Sequence, residues 1–278
     1  MRSFDQDKAI LYLVATPIGN LEDISFRAIS ILNTVDKIYA EDTRNSTILL
    51  KHYQIRTPIE SYHEYSQEIK EEQILKELKE GKKLAVISDA GLPVISDPGY
   101  KLVQLAIDHE IAVSTIPGAS AGISALIASG LVPMPYTFFG FLDSKHTKRL
   151  KELEDLKYIP HTLIFYEAPH RILDMLLDMK TIFGNRNICL ARELTKTFEE
   201  YIRGSIDEVI SSLPLKGEMV VLVEGYHDMK TIDDPLIKID ELISLGSKPN
   251  DAIKEIAKMG NLDRKELYKA YIDYKNKK

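Results

Sequence analysis

Short apolar runs alternate with stretches of helical spacing through the first half of the chain. Residues 9–15, 37–40, 83–87 and 111–116 are compact and rich in aliphatic side chains, and each stops at polar, Gly or Pro residues. Such runs predict buried strands. Between them, 25–32, 46–53, 67–80, 101–106 and 122–129 carry apolar positions three and four apart, the pattern of amphipathic helices. Gly81 stands where the third of these needs a left-handed C-terminal residue. Strand, loop and helix recur four times, which predicts an α/β domain with a largely parallel sheet over 9–130. Residues 130–140, with Pro133 and Pro135, interrupt that rhythm and predict a domain junction. Strands at 162–166, 186–191, 199–204 and 217–224, with helices at 145–157, 172–179 and 207–213, predict a mixed α/β domain over 131–225.

Past Gly225 the pattern turns wholly helical, with segments at 235–245, 250–259 and 263–274 and glycines at 246 and 260 between them. From Gly246 to Lys278 nine Lys/Arg face five Asp/Glu. A helical pair across a glycine turn with a basic last helix predicts a helix-turn-helix-like extension over 226–278. The plainer expectation is a packing unit that caps the second domain or a dimer contact.

One loop stands out. Ser88-Asp89-Ala90-Gly91-Leu92-Pro93-Val94-Ile95-Ser96-Asp97-Pro98-Gly99 joins a strand to a helix and holds two glycines, two prolines and two aspartates. Gly admits positive φ and close backbone approach, while Pro fixes φ, so the loop is shaped rather than slack. It lies at the carboxyl end of a strand, where open α/β sheets bind ligands. Glu41-Asp42-Thr43-Arg44, Glu167 with His170 and Arg171, and Arg192, Glu193 and Lys196 form three more charged clusters after strands. Each alone reads as a solvated loop; together they suit a cleft for a polar, phosphate-bearing substrate.

Composition narrows the choices. Of 278 residues 44% are hydrophobic and 28% charged, a globular balance with room for two modest domains. The net charge of −6 leaves nucleic acid as a partner only through a local basic face. A single cysteine, Cys189, excludes an intramolecular disulfide and fits a reducing cytoplasm. Residues 1–8 lack a signal core and no apolar run spans a bilayer, so a cytoplasmic protein is expected. The seven histidines show no ligand spacing, and no metal is expected. Residues 16–20 lack a dinucleotide fingerprint, and Lys101 is no Walker lysine. Gly118-Ala119-Ser120-Ala121-Gly122 matches a nucleophile elbow, but His161, His170 and His227 have no acid-bearing loop ahead of them. Ser120 and Ala121 serve better as a helix N-terminus held close to a ligand.

Taken in order, Leu13-Val14-Ala15-Thr16-Pro17-Ile18-Gly19-Asn20-Leu21, Ala40-Glu41-Asp42-Thr43-Arg44, the 88–99 loop, Pro117-Gly118, Phe165-Tyr166-Glu167, Ala191-Arg192-Glu193-Leu194-Thr195-Lys196 and Lys216-Gly217-Glu218-Met219-Val220 resemble the bacterial small-subunit ribosomal RNA methyltransferase I family. The resemblance runs from about Leu11 to Gly225, and the basic tail is similar to that family's helical extension. It implies an α/β, two-domain tetrapyrrole-methylase-like fold (class III methyltransferase) with a short C-terminal helical extension. It also implies S-adenosyl-L-methionine as cofactor, 2′-O-methylation of a cytidine in 16S rRNA of the small ribosomal subunit, and a homodimer. Cofactor contacts then fall on Pro17, Asp89, Gly91, Leu92, Ile95, Ser120, Ala121, Glu167 and Leu194. Glu41, Asp42 or Glu193 takes the proton, Arg44, Arg192 and Lys196 hold phosphate or the developing alkoxide, and Arg171, Arg192, Lys265 and Lys269 meet RNA. Leu92 and Ser96 stand where the resemblance leads one to expect Thr and Asn, which removes a hydroxyl contact but leaves a backbone one. Fold does not fix function; a tetrapyrrole C-methyltransferase and a non-catalytic ribosome-assembly factor are the alternatives.

Overall fold

The computed structural model describes residues 8–62, 67–214, 216–227, 234–259 and 262–276. The N-terminal 1–7, the polar stretch at 63–66 and the glycine turn at 260 lie outside the described residues. The chain forms two compact units, Met1–Gly225 and Tyr226–Lys278.

The first unit contains two five-stranded sheets. In the first, β1 (Ile10–Val14), β2 (Lys37–Ala40), β3 (Ile59–Ser61), β4 (Lys83–Ile87) and β5 (Ala112–Ile116) lie in the order β3-β2-β4-β1-β5. Every pairing is parallel. The loops after β1, β2, β4 and β5 therefore open on one edge. Helices α1 (Phe26–Thr34) and α2 (Thr43–His52) cover one face, burying Leu32 and Leu49 against Ile38 and Ile87. Helices α3 (Gln67–Lys79) and α4 (Tyr100–Asp108) cover the other, with Ile74, Leu78 and Leu102 against Leu11 and Leu84. A strand buried on both faces reads as an unbroken apolar run, which is why 83–87 is so legible.

The second sheet runs β6 (Tyr136–Phe141), β7 (Thr162–Glu167), β10 (Met219–Val223), β8 (Asn187–Arg192), β9 (Glu200–Ser205). Only β6 and β7 are parallel; the other pairs are antiparallel. Alternation along β10 sends Met219, Val221 and Val223 toward α6 (His146–Leu156), α7 (Ile172–Phe183) and α8 (Ile206–Ser211). Val220 and Leu222 face α5 (Ala121–Ser129), which follows β5 in sequence but packs on this second sheet. Small residues permit that approach: a Cβ on Gly122 would lie 3.3 Å from the Tyr166 hydroxyl.

Two expectations need correction, and one strand, β3, was not expected at all. Residues 130–140 are not only a junction, because Tyr136–Phe141 pairs with β7 as an edge strand, its alternation interrupted by an irregularity between Phe138 and Gly140. Strand β3 has only three half-buried residues, too few to show a period. Helix α2 begins at Thr43 rather than Ser46, because Asp42 caps it by accepting from the Arg44 amide at 2.8 Å.

In the second unit α9 (Pro235–Ser244), α10 (Pro249–Met259) and α11 (Arg264–Asn276) enclose their own small core of Ile239, Ala252, Ile253, Ile256, Leu267 and Tyr271. Tyr271 donates to Asp240 at 2.5 Å and Lys275 pairs with the same carboxylate at 2.7 Å, tying α11 to α9. No helix among the described residues is long and apolar enough to cross a membrane.

Candidate active site

The β4–α4 loop is built on unusual backbone. Gly91 and Gly99 have φ of +79° and +132°, and Val94 and Ser96 have +76° and +67°. A β-branched residue in the left-handed region costs about 1–3 kcal/mol, strain that concentrates where a loop must hold one shape for a ligand. The loop is clamped to the end of β1 by reciprocal bonds, Thr16 amide to Gly91 carbonyl at 2.8 Å and Gly91 amide to Thr16 carbonyl at 3.1 Å. Asp89 reaches to the β2 loop, accepting from the Asp42 amide at 3.1 Å and the Asn45 side chain at 2.8 Å.

Two cavities flank this loop. The larger, about 340 Å³, is lined by Ile18, Leu92, Phe141, Leu194 and Val220 on its apolar walls and by Ser120, Asp97 and Glu167 among its polar groups. The smaller, about 270 Å³, lies between the β1, β2 and β4 loops and Lys196. Ile18, Ala90 and Glu218 line both.

The larger cavity collects Gly91, Leu92, Ile95, Ser120, Ala121, Glu167 and Leu194. Pro17 and Asp89, expected with them, line the smaller cavity instead. The β4 loop turns at Ala90, so Asp89 faces the β2 side, where its carboxylate is engaged by two donors. Glu167 is 2% exposed; its Oε1 accepts from the Ala168 amide at 2.8 Å, whereas Oε2 accepts no hydrogen bond and lies 3.4 Å from Arg171. The Glu167 carboxylate is closed to solvent behind the cavity wall, with the Arg171 guanidinium as its charge partner. Ser120 is the N-cap of α5, makes no side-chain cap bond and lines the cavity with Ala121, while the Gly122 amide in the same turn donates to the Tyr166 hydroxyl at 3.0 Å.

The acid and base candidates separate clearly. Asp42 accepts from Arg44 at 2.6 Å, and the guanidinium and the helix amides push its carboxyl down to about 2. For Glu193, burial acts upward, yet bonds from Lys196 at 3.1 Å and the Glu218 amide keep it below the usual carboxylate range. Burial likewise opposes charge on Lys196, and its bonds to Glu218 and Glu193 more than offset this and raise it. Arg192 pairs with Glu200 at 3.0 Å, and Arg171 donates to the Leu142 carbonyl at 3.0 Å beside Glu167. Both guanidiniums are thus engaged within the second sheet rather than presented together outward. Glu41 sits beside Asp97, a residue the sequence reading left without a role. Burial of Asp97 and the nearby Glu41 charge, offset in part by a bond from Ser88, push its carboxyl up to about 7. Its only sequence cue was membership of the central loop. No histidine lines the larger cavity, so Ser120 has no nucleophile-activating base there. Lys265 and Lys269 are exposed on α11 of the second unit.

Comparison with known proteins gives this arrangement its place. The model of the tetrapyrrole (corrin/porphyrin) methylases matches residues 10–210. Uroporphyrin-III C-methyl transferase from Thermus thermophilus, solved with S-adenyl homocysteine, aligns with a TM-score of 0.57 at 15% identity, over 77% of this chain and 96% of that one. Diphthine synthase aligns with a TM-score of 0.61 at 9% identity, over 77% and 89%. The fold is therefore that of the tetrapyrrole methylases, and the chain is a methyltransferase. Curated relatives narrow the class: ribosomal RNA small subunit methyltransferase I of Streptococcus pyogenes serotype M1 is 48% identical over 98% of both chains. Its counterpart in Bacillus subtilis is 46% identical over 95% of this chain and 94% of that one. The chain belongs to the ribosomal RNA small subunit methyltransferase I family.

Proposed function

We propose that this enzyme transfers a methyl group from S-adenosyl-L-methionine to the 2′-oxygen of a cytidine in 16S rRNA of the small ribosomal subunit. The observation that carries the reading is the pair of cavities meeting at Ile18, Ala90 and Glu218. A donor in one and an acceptor in the other would share a single wall. The larger cavity fits the cofactor: apolar walls, the Ser120 end of α5, and the buried, Arg171-paired Glu167 carboxylate behind the wall. The cofactor supplies an electrophilic methyl; the protein supplies position and a proton acceptor. Asp42 and Glu193, held ionised by cationic and amide partners, are weak bases. The proton acceptor is assigned to Asp97, with Glu41 beside it. Asp97 lines the larger cavity, so the 2′-hydroxyl must cross the shared wall at Ala90 to reach it; a carboxylate with a pKa near neutrality removes a hydroxyl proton better than one near 2. Lys196, held by Glu193 and Glu218 where the cavities meet, stabilises the developing alkoxide.

The test is transfer of labelled methyl from S-adenosylmethionine to small subunits lacking their own modifications, with nuclease mapping. Label on one cytidine ribose is expected. Label on a tetrapyrrole and none on RNA would move the chain to the alternative.

Lys265 and Lys269 supply a local positive surface on an acidic protein, and the reading gives them phosphate contacts. Reversing both charges is expected to reduce the steepness of log affinity against log salt by about one unit per lost contact. An unchanged slope assigns α11 to packing. The site of action is the cytoplasm, where small subunits are built. A second copy of the chain is the remaining partner, with exposed Ile127 on α5 and Val132 and Met134 in the connection to β6 offering apolar surface. Light scattering at the mass of one chain would remove it.

A further inference from the structure

The smaller cavity contains a feature that the methyl-donor site does not explain. Ser46, in the first turns of α2, is 4% exposed and belongs to the cavity lining, and its hydroxyl oxygen, closed to solvent just behind that wall, has no hydrogen-bond partner. Leaving a buried hydroxyl unpaired is unfavourable unless something else completes it. Its neighbour Asn45 lines the same cavity and donates its Nδ2 to Asp89 Oδ2 at 2.8 Å. Asp89 is itself fixed by the Asp42 amide at 3.1 Å. A carboxylate only accepts, so the Asn45 amide nitrogen must face Asp89 and the amide oxygen is what remains for a ligand.

We infer that the smaller cavity seats the acceptor nucleotide, with the Asn45 oxygen accepting from the exocyclic amino group of its base and the Ser46 hydroxyl completing a further polar edge. The inference rests on the rRNA methyltransferase reading and adds the residues that choose the base. At about 270 Å³ the cavity has room for one extruded nucleoside. The base lies against Pro17 and Ile48, and the ribose at the wall shared with the cofactor cavity beside Lys196. Cytosine presents an amino donor at the edge where uracil presents an acceptor. Uracil would set its oxygen against the Asn45 oxygen, and two acceptors cannot satisfy each other.

The test compares wild type with Ser46→Ala and Asn45→Ser in methylation of unmodified small subunits carrying either cytidine or uridine at the mapped position. Binding of S-adenosylmethionine and thermal stability are measured beside each rate. For Ser46→Ala, the KM for subunits is expected to rise about tenfold while cofactor affinity holds and stability does not fall, since an unpaired buried hydroxyl is removed. For Asn45→Ser, the preference for cytidine over uridine is expected to shrink by about tenfold or more. Wild-type KM and wild-type base preference in both variants would overturn the assignment. So would a loss of cofactor affinity that matches the loss of rate, since the cavity would then belong to the cofactor. If wild type itself leaves subunits unlabelled, the rRNA reading falls instead, and the two failures stay distinct.

Discussion

Replacing Asp97 by asparagine is expected to remove most methyl transfer at about pH 8 while making the protein harder to unfold. The two effects have one cause. Burial and the Glu41 charge raise the Asp97 carboxyl to about 7 from an ordinary value of 3.8. Between those limits the folded chain holds a proton that the unfolded chain has released. The contribution to stability is therefore fully present below about pH 4 and is lost as pH rises through about 7. Asparagine carries no charge to desolvate, so it recovers that loss above neutrality and gains nothing near pH 4. A melting temperature higher by a few degrees at about pH 8, and equal at about pH 4, is the expected signature. Activity moves the other way: a positioned base contributes roughly 10²–10⁴-fold, and asparagine cannot accept the proton. The wild-type rate should climb through about pH 7 as Asp97 ionises. A variant at the wild-type rate would return the base role to Glu41 alone.

The second large effect is expected from Gly19→Ala. A Cβ at this position would meet Lys196 Cγ at 2.7 Å, the Leu194 carbonyl oxygen at 2.8 Å and Thr195 Oγ1 at 2.8 Å. Lysine can swing aside, but the backbone oxygen cannot. Glu193 and Thr195 already have φ of +51° and +66°, so the loop after β8 has little freedom to absorb a shift. Thr195 is pinned further, its amide donating to Glu199 at 2.6 Å. The added methyl must push this loop from the end of β1, which widens the larger cavity at Ile18 and Leu194 and displaces Lys196 in the lining of the smaller one. Overpacking of this kind costs about 1–3 kcal/mol, enough for tenfold or greater weakening of cofactor binding. Calorimetric titration with S-adenosylmethionine measures it, and unchanged affinity would show that the loops meet without shaping the site.

Much of this molecule could be read before any coordinates. Strands such as Lys83–Ile87 and Met219–Val223 are buried on both faces, so their apolar runs are unbroken and need no partner to be recognised. The shaped β4 loop was equally plain, since Gly and Pro act through local backbone geometry. Edge strands were not: Tyr136–Phe141 carries a broken alternation and Ile59–Ser61 three residues, and only the neighbouring strands β7 and β2 make them strands.

The same division runs through the site. The sequence alone determined which loops end strands and therefore carry the chemistry, because strand direction and turn residues are local properties. Tertiary structure decided which charges are available. Asp42 and Arg44 lie two residues apart and cancel each other; Arg192 finds Glu200 across a strand pair; Asp97, unremarked in its loop, is raised by burial and by Glu41 from a distant segment. The vacant hydroxyl of Ser46 and the orientation of Asn45 likewise exist only once β2 and β4 lie side by side. Desolvation and pairing are relations between segments far apart in the chain, and no spacing within one segment encodes them.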